Sequence, residues 1–163
     1  MQLPEITLGI VPGIGAMVVP YRRWPQAAAT FHGMLRRAEK LKAPQAQALG
    51  VVDALADDLP GLIGAAVARV QALAGQPLGI TQGSVALAPL EPIAPAAASG
   101  QPLSKEIMAI LERAVRDAAA AKSLGEALEI GYRAFGASAL TAAAREGIGA
   151  FQEGRKPDFS KTA

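Results

Sequence analysis

The chain contains no cysteine, a single histidine and a single tryptophan, and aromatic residues make up only 4% of it. Without cysteine there can be no disulfide, no thiolate metal site and no cysteine nucleophile. That pattern fits a reducing compartment, and a cytoplasmic location is the expectation. A long apolar run is missing as well. The longest, from Ile6 to Tyr21, is broken by Pro12, Gly13 and Gly15 and is too short to cross a bilayer. No basic segment stands before it, so a signal peptide is not expected. Nor does charge of one sign accumulate: 16 Lys and Arg are interspersed with 14 Asp and Glu, leaving a net charge of +2. The chain offers no basic face for nucleic acid and no basic tail for anionic lipid.

What the chain does have is alanine, within a composition that is 51% hydrophobic over 163 residues. That is enough for one domain with a real core, and it favours closely packed helices over a strand sandwich. The expected fold is mainly α, with short strand segments near 3–10 and 50–54. No internal repeat is visible. Composition divides the chain into residues 1–75, a Pro/Ala-rich stretch at 76–102, and a helical region at 103–163. The middle stretch reads as a linker or insertion, yet it carries almost no charge, so it is suited to lying against the protein.

Helix signals are clearest in the last region. Leu103, Ile107, Ile110, Leu111, Ala114, Val115 and Ala118 draw one apolar stripe, with Lys105, Glu106, Glu112, Arg113, Arg116 and Asp117 opposite. Ser123 and Glu126 have capping-box spacing and open a helix whose face holds Leu124, Leu128, Tyr132 and Phe135. A last helix stops before Pro157. Earlier, QAAATFHGMLRR and APQAQALG each read as a helix, the second ended by Gly50. Asp57 or Asp58 caps a further helix with Pro60 in its first turn and an apolar side of Leu62, Ala66, Val67, Val70 and Leu73.

Local chemistry is sparse. The Gly-x-Gly at 13 and 15 lacks the third glycine of a dinucleotide fingerprint, since Val18 stands there, and Pro12 occupies the tight strand-to-turn position. His32 sits in an apolar helical run with no evident partner and reads as structural. Ser84, Ser99, Ser104 and Ser138 lack a nucleophile motif and read as caps. The pairs Arg22–Arg23 and Arg36–Arg37 read as solvated faces. No metal site is expected. Glu5 stands alone, with no histidine or second acid nearby to complete a site.

Three stretches nevertheless resemble one family. LPEITLGIVPGIGA looks like the PEI-x-LG-(I/L)-x-PG-x-GG signature of the enoyl-CoA hydratase/isomerase (crotonase) superfamily. LRRAEKLKAPQAQALGVVDAL resembles its TGR-x-I-x-A-x-EA-x-x-LGLV-x-x-V segment, and REGIGAFQEGRKPDF its closing REG-x-x-AF-x-EKRKP-x-F. They fall in family order and cover both ends of the chain.

The resemblance implies that the chain is similar to the C-terminal half of a crotonase, and that Glu5 is a catalytic acid/base residue. In the family's hydratases two glutamates flank the reacting water; Glu5 matches the second, in PEI. The first, in a GGG-x-EL segment, and the oxyanion amides belong to a region that would precede Met1. Gly13 and Gly15 would shape the acyl end of the site, and Phe151 would stack near the adenine of coenzyme A. No resident cofactor is implied, because coenzyme A enters as part of the acyl-CoA substrate. Implied partners are copies of the chain, in a trimer-based homo-oligomer, or a missing N-terminal half. The isolated chain is then expected to be inactive. An isomerase branch, in which one glutamate shuttles the proton alone, and a non-catalytic helical interaction module remain open alternatives. Three departures stand out. Ala16, Met17, Val18 and Val19 replace the second glycine and polar residues of GG-(S/T)-QR, Gly154 replaces the first lysine of EKRK, and Ala143 replaces an acid.

Overall fold

The computed structural model describes residues 1–77 and 79–162, and within them the chain is mainly helical. Three short helices come first: α1 (Val19–Arg23), α2 (Ala28–Arg37) and α3 (Ala43–Ala48). Four longer ones follow: α4 (Leu59–Leu73), α5 (Lys105–Ala120), α6 (Leu124–Ala139) and α7 (Ala142–Gln152). The longer helices start where a side-chain oxygen can accept an otherwise unpaired N–H of the first turn. Asp58 takes that of Gly61 at 2.7 Å, Ser123 that of Glu126 at 3.1 Å and Thr141 that of Ala144 at 3.0 Å. No described helix is long and apolar enough to cross a membrane.

The centre of the core is α5. Its stripe places Ile107, Leu111, Ala114, Val115 and Ala118 inside, while Arg113 on the far side stays open to water. The chain reverses at residues 121–123, and α6 returns along α5. Phe31 and Leu35 of α2 close the other side, joined by Ile6, Val11, Met17 and Tyr21. The first turn of the chain rests on α7 at near backbone contact: a Cβ on Gly147 would run into the Leu8 carbonyl, and one on Gly9 into that of Ala143.

The short strand segments expected near 3–10 and 50–54 are not strands. Glu5–Leu8 is a 3-10 turn closed by Gly9 at φ 70°. Pro4 starts it, and its carbonyl accepts both the N–H and the hydroxyl of Thr7, at 2.9 and 2.7 Å. Around residue 50 the chain is the end of α3: Gly50 takes φ 68°, and the N–H groups of Val51 and Val52 both return to the Ala46 carbonyl. In both places local hydrogen bonds outcompete β-propensity, which depends on a neighbouring strand. The only β-pairing among the described residues is an isolated bridge between Ala96 and Pro102.

The linker-like stretch is packed. Residues 79–102 run as a strap over α1, α2 and α5, fixed by hydrogen bonds from Val85 N–H to the Ala119 carbonyl (2.9 Å), Ala98 N–H to Arg37 (2.8 Å) and Leu103 N–H to Pro95 (2.7 Å). Helix α4 does the reverse: its apolar side suggests cover by a core, but not one of its residues is buried.

Candidate functional site

Arginines that read as solvated in the sequence are partly core residues. Arg22 is 2% exposed and Arg36 5%, whereas Arg37 points to solvent. Arg22 reaches the carbonyls of Ala118 (2.8 Å) and Ala121 (3.2 Å) at the end of α5, and those of Thr81, Gln82 and Gly83 in the strap. A helix C-terminus carries partial negative charge, which compensates a buried guanidinium. Arg36 binds Glu112 at 2.8 Å and the Glu91 carbonyl at 2.6 Å. Neither contact has a local sequence signal, because every acceptor is more than fifty residues away.

Between these arginines lies the one histidine. His32 Nε2 donates to the Ala88 carbonyl at 2.9 Å, so its Nδ1 is the acceptor of the Tyr21 hydroxyl at 2.8 Å. Burial lowers the His32 pKa, and Arg36 lowers it further against the opposing Ala88 hydrogen bond and Glu112. Burial likewise raises the Tyr21 pKa well above the ordinary phenol value. With both ring nitrogens occupied, His32 fastens the strap to α1 and α2 and has no free lone pair for chemistry.

Glu5 differs. It sits on the first turn, whose shape is set by Pro4, Gly9 and the close approach to α7. Its Oε2 is buried and accepts no hydrogen bond from the chain. The following loop is held equally firmly. Val11 N–H donates to the Ser138 hydroxyl at 3.2 Å, and Ser138 donates onward to the Phe135 carbonyl at 2.8 Å. A Cβ on Gly13 would press on the Phe135 ring, and one on Gly15, at φ 79°, on Leu128 and Val19. Ile14 between them is at φ 53° and 92% exposed, a strained backbone for a β-branched residue. Glu5, Gly13 and Gly15 thus share one rigid segment. Phe151 lies on α7, one turn beyond Gly147, and is 73% exposed.

The three departures from the family pattern have physical reasons here. Met17 and Val18 are core residues, each 2% exposed, where polar side chains would need partners. Gly154 takes φ 68° at the end of α7, a conformation lysine adopts only at a cost. Ala143 is fully buried at its contact with Gly9, so an acid there would lose its water.

Arg155 is engaged rather than free. It holds Glu146 through two contacts, at 2.6 and 3.0 Å, and Glu153 through another. The Arg155 guanidinium and the Asp158 N–H pull the Glu146 pKa down to about 2. A cleft of about 520 Å³ beside this clasp is lined by Arg145, Glu146, Arg155, Asp158 and Lys161. Among the described residues no cluster of three or more His, Asp or Glu could hold a metal ion.

Comparison with known proteins finds no matching family model, no similar curated sequence and no similar solved structure.

Proposed function

We propose that the chain carries the second acid/base carboxylate and the helical assembly region of an enoyl-CoA hydratase/isomerase-type protein that acts on acyl-CoA thioesters. The observation that carries the reading is the Glu5 carboxylate. Leaving a buried acceptor without a donor costs about 1–3 kcal/mol, and this chain keeps one on a rigid turn. That suits a group that must exchange a proton with a substrate. In the hydratase form the paired carboxylates trade protons with water and the α-carbon, while backbone amides hold the thioester oxyanion. Glu5 is one member of that pair. The isomerase form needs only the one glutamate as proton shuttle. In either form the firmly held Gly13–Gly15 loop lines the acyl end, and Phe151 stacks against the adenine.

The 163 residues by themselves are expected not to hydrate crotonyl-CoA. Each oxyanion donor is worth roughly 10²–10³ in rate, and the matching segments carry none. Turnover by the purified chain that vanishes in Glu5→Gln overturns the half-site reading. Turnover that survives Glu5→Gln overturns the role of Glu5.

The same reading makes the chain a homo-oligomer built on multiples of three through residues 103–153. A constant monomer mass by light scattering across micromolar concentrations contradicts it. One observation favours a second, non-catalytic reading as an interaction module: the uncovered apolar helix α4.

A further inference from the structure

Helix α4 is apolar around most of its circumference, yet Leu59, Leu62, Ile63, Val67, Val70 and Leu73 are 40–70% exposed. A fifteen-residue helix is about 22 Å long and about 10–12 Å across, giving a side surface of roughly 700 Å². Monomers seldom leave more than ~300–600 Å² of contiguous apolar surface open. A helix of this length is also marginal alone in water, and one that is apolar all round is normally covered.

The pattern on α4 says what fits it. Leu59, Leu62, Ala66, Val70 and Leu73 are spaced three, four, four and three apart, a sequence that reads the same in both directions about Ala66. At ~100° per residue these five lie within roughly 40° of Ala66, symmetrically to either side. Placed against a reversed copy of itself, the stripe sets Leu59 opposite Leu73 and Leu62 opposite Val70. The small Ala66 sits on the axis, where it lets the backbones approach. An isologous two-fold contact needs this self-complementarity: residue i meets j while j meets i.

Charge agrees with a second copy rather than a charged partner. Arg69 is the one charged residue in α4, and it is already held by Asp53 at 3.0 and 3.2 Å. An antiparallel pair also sets the two helix dipoles in opposition, which is favourable.

We propose that α4 is a self-association surface, pairing antiparallel with α4 of a second copy across a two-fold axis at Ala66. The pairing is independent of the acyl-CoA reading above. Covering about half of each helix buries roughly 700 Å² in total, less than the ~1,200–2,000 Å² of stable complexes. The pair is therefore weak and reversible.

Sedimentation equilibrium of the full chain from low to high micromolar concentration tests this. The average mass is expected to double, and Ala66→Glu to weaken the doubling at least tenfold. Leu62→Glu and Val70→Lys each do the same alone, and circular dichroism stays unchanged because α4 supplies no core residue. Mixing the last two variants restores association, since the new carboxylate at position 62 of one copy faces the new ammonium at position 70 of the other. A mass that does not double, doubling unaffected by Ala66→Glu, or a mixture that fails to recover each overturns the proposal.

Discussion

The guanidinium of Arg22 donates to the carbonyl of Ala118 at 2.8 Å, so an α1 side chain closes the C-terminal end of α5 from ninety-six residues away. The same group takes three strap carbonyls, those of Thr81, Gln82 and Gly83. One buried charge thereby joins the N-terminal segment, the strap and the central helix.

Arg22→Met keeps most of the apolar stem and removes every one of these bonds. Hydrogen bonds from charged groups are worth about 1.5–3 kcal/mol each, offset by the desolvation that methionine avoids. The expected net loss is about 2–4 kcal/mol. It should come with faster amide exchange at Thr81 and Val85, whose N–H groups bond Arg22 and Ala119. Chemical denaturation and hydrogen exchange measure the two effects.

Two glycines on α7, two residues apart, should respond in opposite directions to alanine. Gly147 faces the Leu8 carbonyl with no room for a Cβ, and the neighbour is backbone that cannot move aside. Gly147→Ala should cost about 1–3 kcal/mol or more. Gly149 has open space around it, so Gly149→Ala should stabilise by roughly 0.5–1 kcal/mol through helix propensity. Thermal unfolding of both variants checks the contrast.

On α5, Leu111→Ala opens a cavity at a fully buried position, for which losses of about 2–5 kcal/mol are usual. Arg113, on the outer side, has only an exposed contact with Asp117, and Arg113→Ala should change stability by no more than about 0.5 kcal/mol. Equal losses in urea unfolding would contradict the placement of the helix.

Such contrasts mark what a single sequence discloses. The α5 stripe, the Ser123 cap and the end of α3 at Gly50 follow from local spacing and local hydrogen bonds and are found in place, and of the two candidate caps for α4, Asp57 and Asp58, it is Asp58 that serves. Periodicity shows which side of a helix is apolar but not whether anything covers it, and α4 is the case in point. The burial of Arg22 and Arg36 was illegible for a related reason. Their acceptors lie in the strap and on α5, and they come within reach only once both have folded against α1 and α2. Of the candidate site, the sequence marks Glu5, Gly13 and Gly15, but the buried, donor-free oxygen of Glu5 exists only in the folded turn.

His32 should make stability depend on pH. Burial holds its folded pKa below the ordinary value of about 6.5, so below that pH the unfolded chain binds a proton that the folded chain refuses. Its contribution is therefore full above about pH 6.5 and declines as pH falls toward the depressed folded pKa. Denaturation midpoints across this window should fall with pH in the parent protein. The slope should be shallower in His32→Gln.

In the proposed acyl-CoA reading, Phe151 stacks against the adenine of a coenzyme A thioester. Titrating isotope-labelled protein with coenzyme A to millimolar concentration and following amide resonances tests this contact. Weak, saturable shifts are expected, centred on the end of α7 around Phe151 and absent in Phe151→Ala. Resonances that stay in place throughout, or shifts that persist unchanged in Phe151→Ala, would contradict it.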